Sequence, residues 1–120
     1  MAFETLIRQR AGALVTMGDG YLSSEANRIV LLAAHHAIPA IYPFPIYTAA
    51  GGLMSYGPDL LGTARQFGVY AGRVLKGEKP ANLPVIQSTK FEFVINLKTA
   101  KALDLTIPET LLATADEVIQ

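Results

Sequence analysis

The sequence predicts an α/β fold with parallel strands, and three observations support this prediction. Apolar residues make up 51% of the 120 positions, which is enough for a packed core in one domain. Short apolar runs bounded by glycine or proline alternate with stretches in which apolar residues recur at helical spacing. A predicted helix separates the first two predicted strands, and this order implies a parallel pair with a right-handed crossover.

The first part of the chain carries the clearest pattern. It predicts a helix end, a buried strand, a second helix and a second strand, at residues 2–10, 13–17, 23–37 and 40–42. Gly18-Asp19-Gly20 is expected to form a turn after the first strand. Ser23 or Ser24 is expected to N-cap the helix that follows this turn.

The middle of the chain predicts a strand at 53–56 and then a long helix at 58–76. Pro58 would occupy the first helical position, where its missing N–H costs nothing. Gly68 and Gly72 lie one turn apart in this helix, and each costs roughly 1 kcal/mol relative to alanine. We expect these two glycines to allow close packing of the helix on a sheet.

The last part of the chain predicts shorter elements. Strands are expected at 84–87 and 91–95, the second with alternating apolar and polar residues. Asn96 is expected to cap a short helix, and a final helix is expected at 109–119.

No catalytic residue, metal site or cofactor is predicted. Cysteine is absent, and His35 and His36 are adjacent, so on a helix they diverge and cannot chelate one metal in the usual way. Gly18-Asp19-Gly20 is not a dinucleotide-binding fingerprint, because Ser23 stands where that fingerprint has its third glycine. The sequence therefore favours a protein that binds a ligand without transforming it.

Charge and hydropathy exclude two classes of partner. Ten basic residues balance ten acidic ones and the pI is about 6.7, so no nucleic-acid partner is expected. The longest uninterrupted apolar run is residues 29–34, far below the ~20 residues that span a bilayer, so no membrane insertion is expected.

Three tyrosines lie at or just after predicted strand ends, namely Tyr42, Tyr47 and Tyr56. Each alone fits packing, whereas three together near the edge of an α/β sheet also fit a ligand cleft. The sequence leaves both interpretations open.

Four motifs resemble one protein family. They are HAIPAIYPF, GGLMSYGPD, YAGRVLKGEKPANLPV and KFEFVINLKTAKALDL, in this order and across nearly the whole chain. Together they resemble the C-terminal part of the substrate-binding proteins of bacterial ABC importers, in the family that includes tryptophan- and tyrosine-type receptors. The resemblance implies a type I periplasmic-binding-like fold, here a truncated three-layer parallel-sheet lobe.

The resemblance also implies a domain organisation. Family members have two α/β lobes, so residues 1–120 are expected to form a single incomplete unit. Residues 1–56 would be the strand–helix–strand part of the ligand lobe, 57–90 would cross toward the first lobe, and 91–120 would be the C-terminal strand and helices. The family is periplasmic, but the start MAFETLIRQRAG lacks the features of an export signal, so this chain as written is expected in the cytoplasm.

The candidate ligand-binding residues follow from the resemblance and from local physics. Ligands of the family lie between lobes against loops that follow strands, which places here Asp19, Gly20, Tyr21, Ser23, Ser24, Tyr42, Phe44 and Tyr56. Free N–H groups near the two serines suit a carboxylate, Asp19 suits an ammonium, and a tyrosine can stack on a side chain. An amino acid presents these three features. Alternatively, Asp19 only shapes its turn and the serines only cap the helix.

The predicted function is therefore that of the C-terminal fragment of a solute receptor. It would bind a small molecule, with an amino acid as one class, and in the intact family the partner would be an ABC permease. A homo-oligomer is also predicted, because a lobe fragment exposes apolar surface. Two alternatives stay open: a small α/β nucleotide- or ligand-binding domain, and a non-binding oligomeric remnant of a truncated gene.

Overall fold

The computed structural model describes residues 2–120. Within these residues, five strands form one sheet in chain order, which confirms the predicted α/β class: β1 (Leu14–Val15), β2 (Ala40–Tyr42), β3 (Met54–Pro58), β4 (Phe91–Asn96) and β5 (Glu117–Ile119). The helices are α1 (Ala2–Arg8), α2 (Gly20–Ser24), α3 (Ala26–His35), α4 (Pro45–Ala49), α5 (Leu60–Leu75), α6 (Leu97–Ala102) and α7 (Glu109–Leu112), with a 3₁₀ turn at Pro80–Asn82.

The chain divides into two compact units. The first contains the residues up to Gly57 together with Glu92–Gln120. The second is the continuous segment Pro58–Phe91, which contains α5 and the 3₁₀ turn.

The strands of the first unit run in two directions. β1, β2 and β3 are parallel, with Leu14 beside Ala40 in the register, which confirms the parallel pairing predicted for the first two strands. The Asn96 N–H donates to the Leu53 carbonyl at 2.8 Å, and Tyr56 meets Phe93 edge-to-face at 6.0 Å between ring centroids. These two pairs show that β4 runs antiparallel to β3, and β5 is parallel to β4. The carboxyl ends of β1–β3 and those of β4 and β5 therefore lie at opposite edges.

Two stacked tyrosines form the centre of the core of the first unit. The rings of Tyr42 in β2 and Tyr47 in α4 lie 4.7 Å apart with planes 8° from parallel. Helix α3 buries Ala26, Val30 and Ala33 in the same cluster. These three positions recur every three or four residues, and small side chains allow the helix to approach the rings closely.

Two predictions for the start of the chain are corrected. The first strand is two residues long and not buried, since Val15 is 69% exposed. Ser23 and Ser24 lie inside α2 and cap nothing, because the helix begins three residues earlier than predicted. Asp19 is the N-cap, and its Oδ1 accepts a hydrogen bond from the Leu22 N–H at 3.0 Å.

The second unit corrects three further expectations. Pro58 ends β3, and Asp59 is the N-cap of α5, with Oδ1 accepting from the Gly62 N–H at 3.0 Å. A Cβ at Gly68 or Gly72 would meet no atom within 4 Å, so these glycines do not mark close packing. Residues 84–87 form no strand; the segment is tied to α5 by the Tyr70 hydroxyl, which donates to the Pro84 carbonyl at 2.5 Å.

Of the helix predictions for the C-terminal part, one is confirmed and one is wrong. Asn96 N-caps α6 as predicted, with its Oδ1 accepting from the Thr99 N–H at 3.1 Å. The final helix predicted at 109–119 is wrong: the chain forms one helical turn at Glu109–Leu112 and then strand β5. Pairing of Val118 with Ile95 of β4 stabilises the extended form there, a non-local contact that outweighs local helix preference.

Candidate functional site

The carboxyl ends of β1, β2 and β3 meet at one edge of the sheet and carry most of the predicted site. Residues 16–21 follow β1, Phe44 follows β2, and Tyr56 lies near the end of β3. Because parallel strands deliver their ends to one edge, the register alone places these segments next to one another.

Two glycines let the three strand ends approach closely. A Cβ on Gly18 would lie 3.3 Å from the ring of Phe44, which is tighter than ordinary packing. A Cβ on Gly57 would fall on the carbonyl oxygen of Pro43, so no side chain fits there without moving the backbone. The turn after β1, the Pro43–Phe44 segment and the end of β3 thus form one continuous surface.

Asp19 is exposed at this edge, and one of its two carboxylate oxygens already accepts a hydrogen bond. Oδ1 caps α2 through Leu22, while Oδ2 has no hydrogen-bond or ion-pair partner in the described residues 2–120. The geometry therefore supports the structural role considered for Asp19 and still leaves one anionic oxygen facing solvent beside Gly20.

The polar groups of Ser23 and Ser24 form hydrogen bonds within α2 and its N-cap. The Ser23 N–H donates to the Asp19 carbonyl at 2.9 Å and its hydroxyl donates to the same oxygen at 2.8 Å. The Ser24 hydroxyl donates to the Tyr21 carbonyl at 2.7 Å. The free N–H group expected near Ser23 is therefore occupied, and the five-residue α2 offers no extended N-terminal anion site.

The aromatic residues of the predicted site separate into two groups. Tyr21 is 71% exposed and Tyr56 is 54% exposed, so both can meet a ligand, and Phe44 is half-buried against Gly18. Tyr42 is only 2% exposed and lies in the core. Burial, reinforced by the neighbouring Tyr47, raises the pKa of Tyr42 to about 12, so this phenol stays neutral.

Sequence reasoning did not identify two buried hydroxyls that flank Tyr42 in the sheet. The Thr16 N–H bonds to the Ile41 carbonyl, which continues the β1–β2 register, and Ser55 pairs with Tyr42 in β3. The Thr16 and Ser55 hydroxyl oxygens are buried without a hydrogen-bond partner among residues 2–120. Only the strand register could have placed them together.

The described residues hold no other reactive constellation. No three His, Cys, Asp or Glu side chains of residues 2–120 lie close enough to share a metal ion. Within the same residues, no helix combines the length and the apolarity that crossing a bilayer requires. The arrangement offers a carboxylate and exposed aromatic rings, which suit binding.

Comparison with known proteins gives the family. The sequence profile of the family described as "ABC transporter substrate binding protein" matches residues 2–119. This chain belongs to the ABC transporter substrate-binding protein family. Among curated proteins, none matches the chain significantly.

Solved structures agree with the substrate-binding family. A conserved domain protein from Vibrio cholerae is 25% identical, with a TM-score of 0.89 over 98% of this chain. An ABC domain from Streptococcus pneumoniae in complex with L-Trp is 30% identical, with a TM-score of 0.86 over 96%. A ligand-free, open substrate-binding protein with adhesive properties from Clostridium difficile is 21% identical, with a TM-score of 0.65 over 99%, and supports the fold.

In all three comparisons, the match covers nearly all of this chain but less than half of the solved structure. The chain spans 39% of the length of each of these solved structures. The fold of this member of the substrate-binding family is accordingly periplasmic-binding-like and corresponds to part of the longer proteins.

Proposed function

We propose that this chain forms one wall of the ligand site of an ABC-importer solute receptor. The ligand is a small molecule with an ammonium group, an amino acid being the class that fits best, and it is bound without chemical change. The observation that carries the proposal is the exposed Asp19 carboxylate at the strand-end edge, with one oxygen free of partners among residues 2–120. An ammonium bound there would form a charge-assisted hydrogen bond.

Aromatic residues and the comparisons support the same ligand class. Tyr21 and Tyr56 are exposed aromatic residues, and an aromatic ring can stack on an apolar or aromatic side chain of a ligand. The Streptococcus pneumoniae relative was solved with L-Trp, an aromatic amino acid. In the proposed setting the partner is an ABC permease and the compartment is the periplasm.

A titration of the chain with single amino acids, followed by amide chemical shifts, tests the proposal. One wall of a cleft binds weakly, on the order of millimolar, because the contacts of a second wall are missing. We expect saturable shifts at residues 17–22 and at Tyr56, largest for aromatic amino acids.

Two substitutions separate the binding role of Asp19 from its capping role. Asp19→Asn keeps an acceptor for the Leu22 N–H but removes the charge, so it should abolish the shifts while leaving α2 folded. Asp104→Asn, at an exposed carboxylate after α6, is the matched control and should change nothing. Unchanged amino-acid binding by Asp19→Asn would remove the ligand site from this loop.

A further inference from the structure

A cavity of about 520 Å³ lies at the sheet edge opposite the candidate ligand site. It is lined by α6, by the turn that follows α6, and by Gln120 directly after β5. Because β4 runs antiparallel to β3, this edge holds the carboxyl ends of β4 and β5 and none of the residues of the Asp19 loop. The cavity is within the size range of small-molecule sites.

The walls of the cavity are mainly apolar. Leu97 and Ala100 contribute from α6, and Leu105 and Ile107 contribute from the turn. A hydrocarbon group that enters would remove its own surface and that of these side chains from water, at roughly 25 cal/mol per Å². The cavity therefore favours a ligand with an apolar body.

Two lysines of α6 add positive charge to this lining. Lys98 and Lys101 stand three residues apart, so their side chains leave the same side of the helix. Neither ammonium forms an ion pair with any residue in 2–120. No Asp or Glu side chain lines the cavity within this part of the chain, so the side chains of the lining carry only positive charge.

We propose that this cavity is a second ligand site and that it binds a small amphiphilic anion, such as a medium-chain carboxylate. The hydrocarbon body packs against Leu97, Leu105 and Ile107, and the anionic head lies between Lys98 and Lys101. This site lies at the opposite edge of the sheet from the proposed amino-acid site. It also differs in chemistry, because it combines two lysines with apolar walls, whereas the amino-acid site offers the Asp19 carboxylate.

Titration of the chain with decanoate below its micellar concentration tests the proposal. We expect saturable amide shifts at residues 97–107 and at Gln120. Decyltrimethylammonium has the same body with the opposite charge and should give no saturable shifts there. Equal binding of the cation, or shifts spread over other apolar surface such as α5, would overturn the proposal.

Variants assign the charge contribution to the two lysines. The double change Lys98→Gln and Lys101→Gln should weaken decanoate binding at least tenfold, because both charge-assisted contacts are lost. Both side chains are exposed, so the fold should be retained, and the amide spectrum checks this directly. The matched control changes Lys76 and Lys79, after α5, to Gln and should leave affinity unchanged. An equal loss in the control would show that the effect is general and would contradict the assignment.

A membrane surface presents related chemistry through anionic headgroups. Co-sedimentation with phosphatidylglycerol vesicles distinguishes the two sources. Vesicle binding that depends on Lys98 and Lys101 without any decanoate response would assign the patch to a lipid surface and overturn the small-ligand proposal.

Discussion

Ala37 carries backbone strain that a single substitution can relieve. It has a φ of 51° directly after the C-cap of α3, a left-handed conformation that costs a non-glycine residue roughly 1–2 kcal/mol. Ala37→Gly should raise the free energy of unfolding by about 0.5–1 kcal/mol after the entropy of glycine in the unfolded chain is deducted. Urea denaturation measures this change. The same substitution at Ala34, inside α3, should instead lower the free energy of unfolding. A lower free energy of unfolding for both variants would contradict the proposed strain at Ala37.

Ser55 offers a test of the buried hydroxyls. Its Oγ is fully buried with no partner among residues 2–120, so Ser55→Ala removes an uncompensated polar group and should stabilise by about 1 kcal/mol. Thr99→Val is the matched comparison, because the Thr99 hydroxyl donates to the Gly51 carbonyl at 2.7 Å. It should destabilise by about 1 kcal/mol. Thermal unfolding of both variants checks the contrast, and destabilisation by Ser55→Ala would show that its hydroxyl is bonded in solution.

Sequence reasoning identified the cap of α6 correctly, because that cap depends on a local contact, but it chose Ser23 or Ser24 where Asp19 caps α2. Asn96 was predicted to cap a short helix, and its Oδ1 does so by accepting from the Thr99 N–H three residues away. Asp19 was considered as a turn residue, and its Oδ1 accepts from the Leu22 N–H three residues away. Tyr42 was predicted to lie in the ligand cleft, but its side chain is buried in the core, where it packs with Tyr47 and α3. A tyrosine after a strand does not reveal which face of the sheet it occupies until the register is known.

At the scale of elements, local signals located α5 but did not determine what covers it. Its predicted span, 58–76, is close to the observed Leu60–Leu75, since a capping aspartate and a terminal Gly77 with φ of 99° define both ends. Its apolar residues predicted a buried face, yet none of them is buried. Periodicity predicts that a helix has an apolar face, whereas the partner of that face is a property of the whole fold.

The ends of α5 should respond to acid. The Gly62 N–H, helped by Lys90, holds the pKa of Asp59 below its usual range, and the bidentate Arg73 contact at 2.6 Å lowers the pKa of Glu78. Both groups bind protons less readily when folded, so their stabilisation is complete above the unfolded pKa and is lost as pH falls through the folded one. NMR chemical shifts of the Asp59 and Glu78 carboxyl groups and of the α5 amides can be followed as the pH is lowered. They should show both ends of the helix fraying, with pH midpoints below the usual carboxyl range.

A variant isolates one end of this helix. Glu78→Gln should abolish the acid response near Gly77 and leave that near Asp59 intact, because the two contacts share no residue. Glu92→Gln serves as the control for loss of a carboxylate outside these contacts. Midpoints at ordinary carboxyl values in the parent chain would contradict the proposed contacts in solution.

At the scale of the whole molecule, helix α5 exposes many large apolar side chains. Large apolar residues of α5 are open to solvent, with Leu61 81% exposed, together with Leu60, Phe67, Val69, Val74 and Leu75. The solved relatives are longer, since this chain spans 39% of their length. Extended apolar patches of this kind mark sites of association.

We therefore predict that the chain as given forms a homo-oligomer, most simply a two-fold dimer that covers the apolar face of α5. Sedimentation velocity over a range of concentrations should show a reversible shift from monomer to dimer. Changing Leu61, Phe67 and Leu75 together to Gln should shift the equilibrium toward monomer by more than tenfold, because each removes apolar area from the contact. All three side chains are exposed, so the chain should stay folded and its far-UV circular dichroism should not change.

The control for this prediction lies on the same helix. Arg65→Gln changes an exposed polar position of α5 and should leave the dimer intact, which separates loss of the apolar contact from loss of the helix. A parent chain that stays monomeric at high concentration would contradict self-association. A dimer that survives the triple change would place the contact elsewhere, for which the exposed outer edge of β1 at Val15 is the next surface to test, because an unpaired strand edge also promotes association.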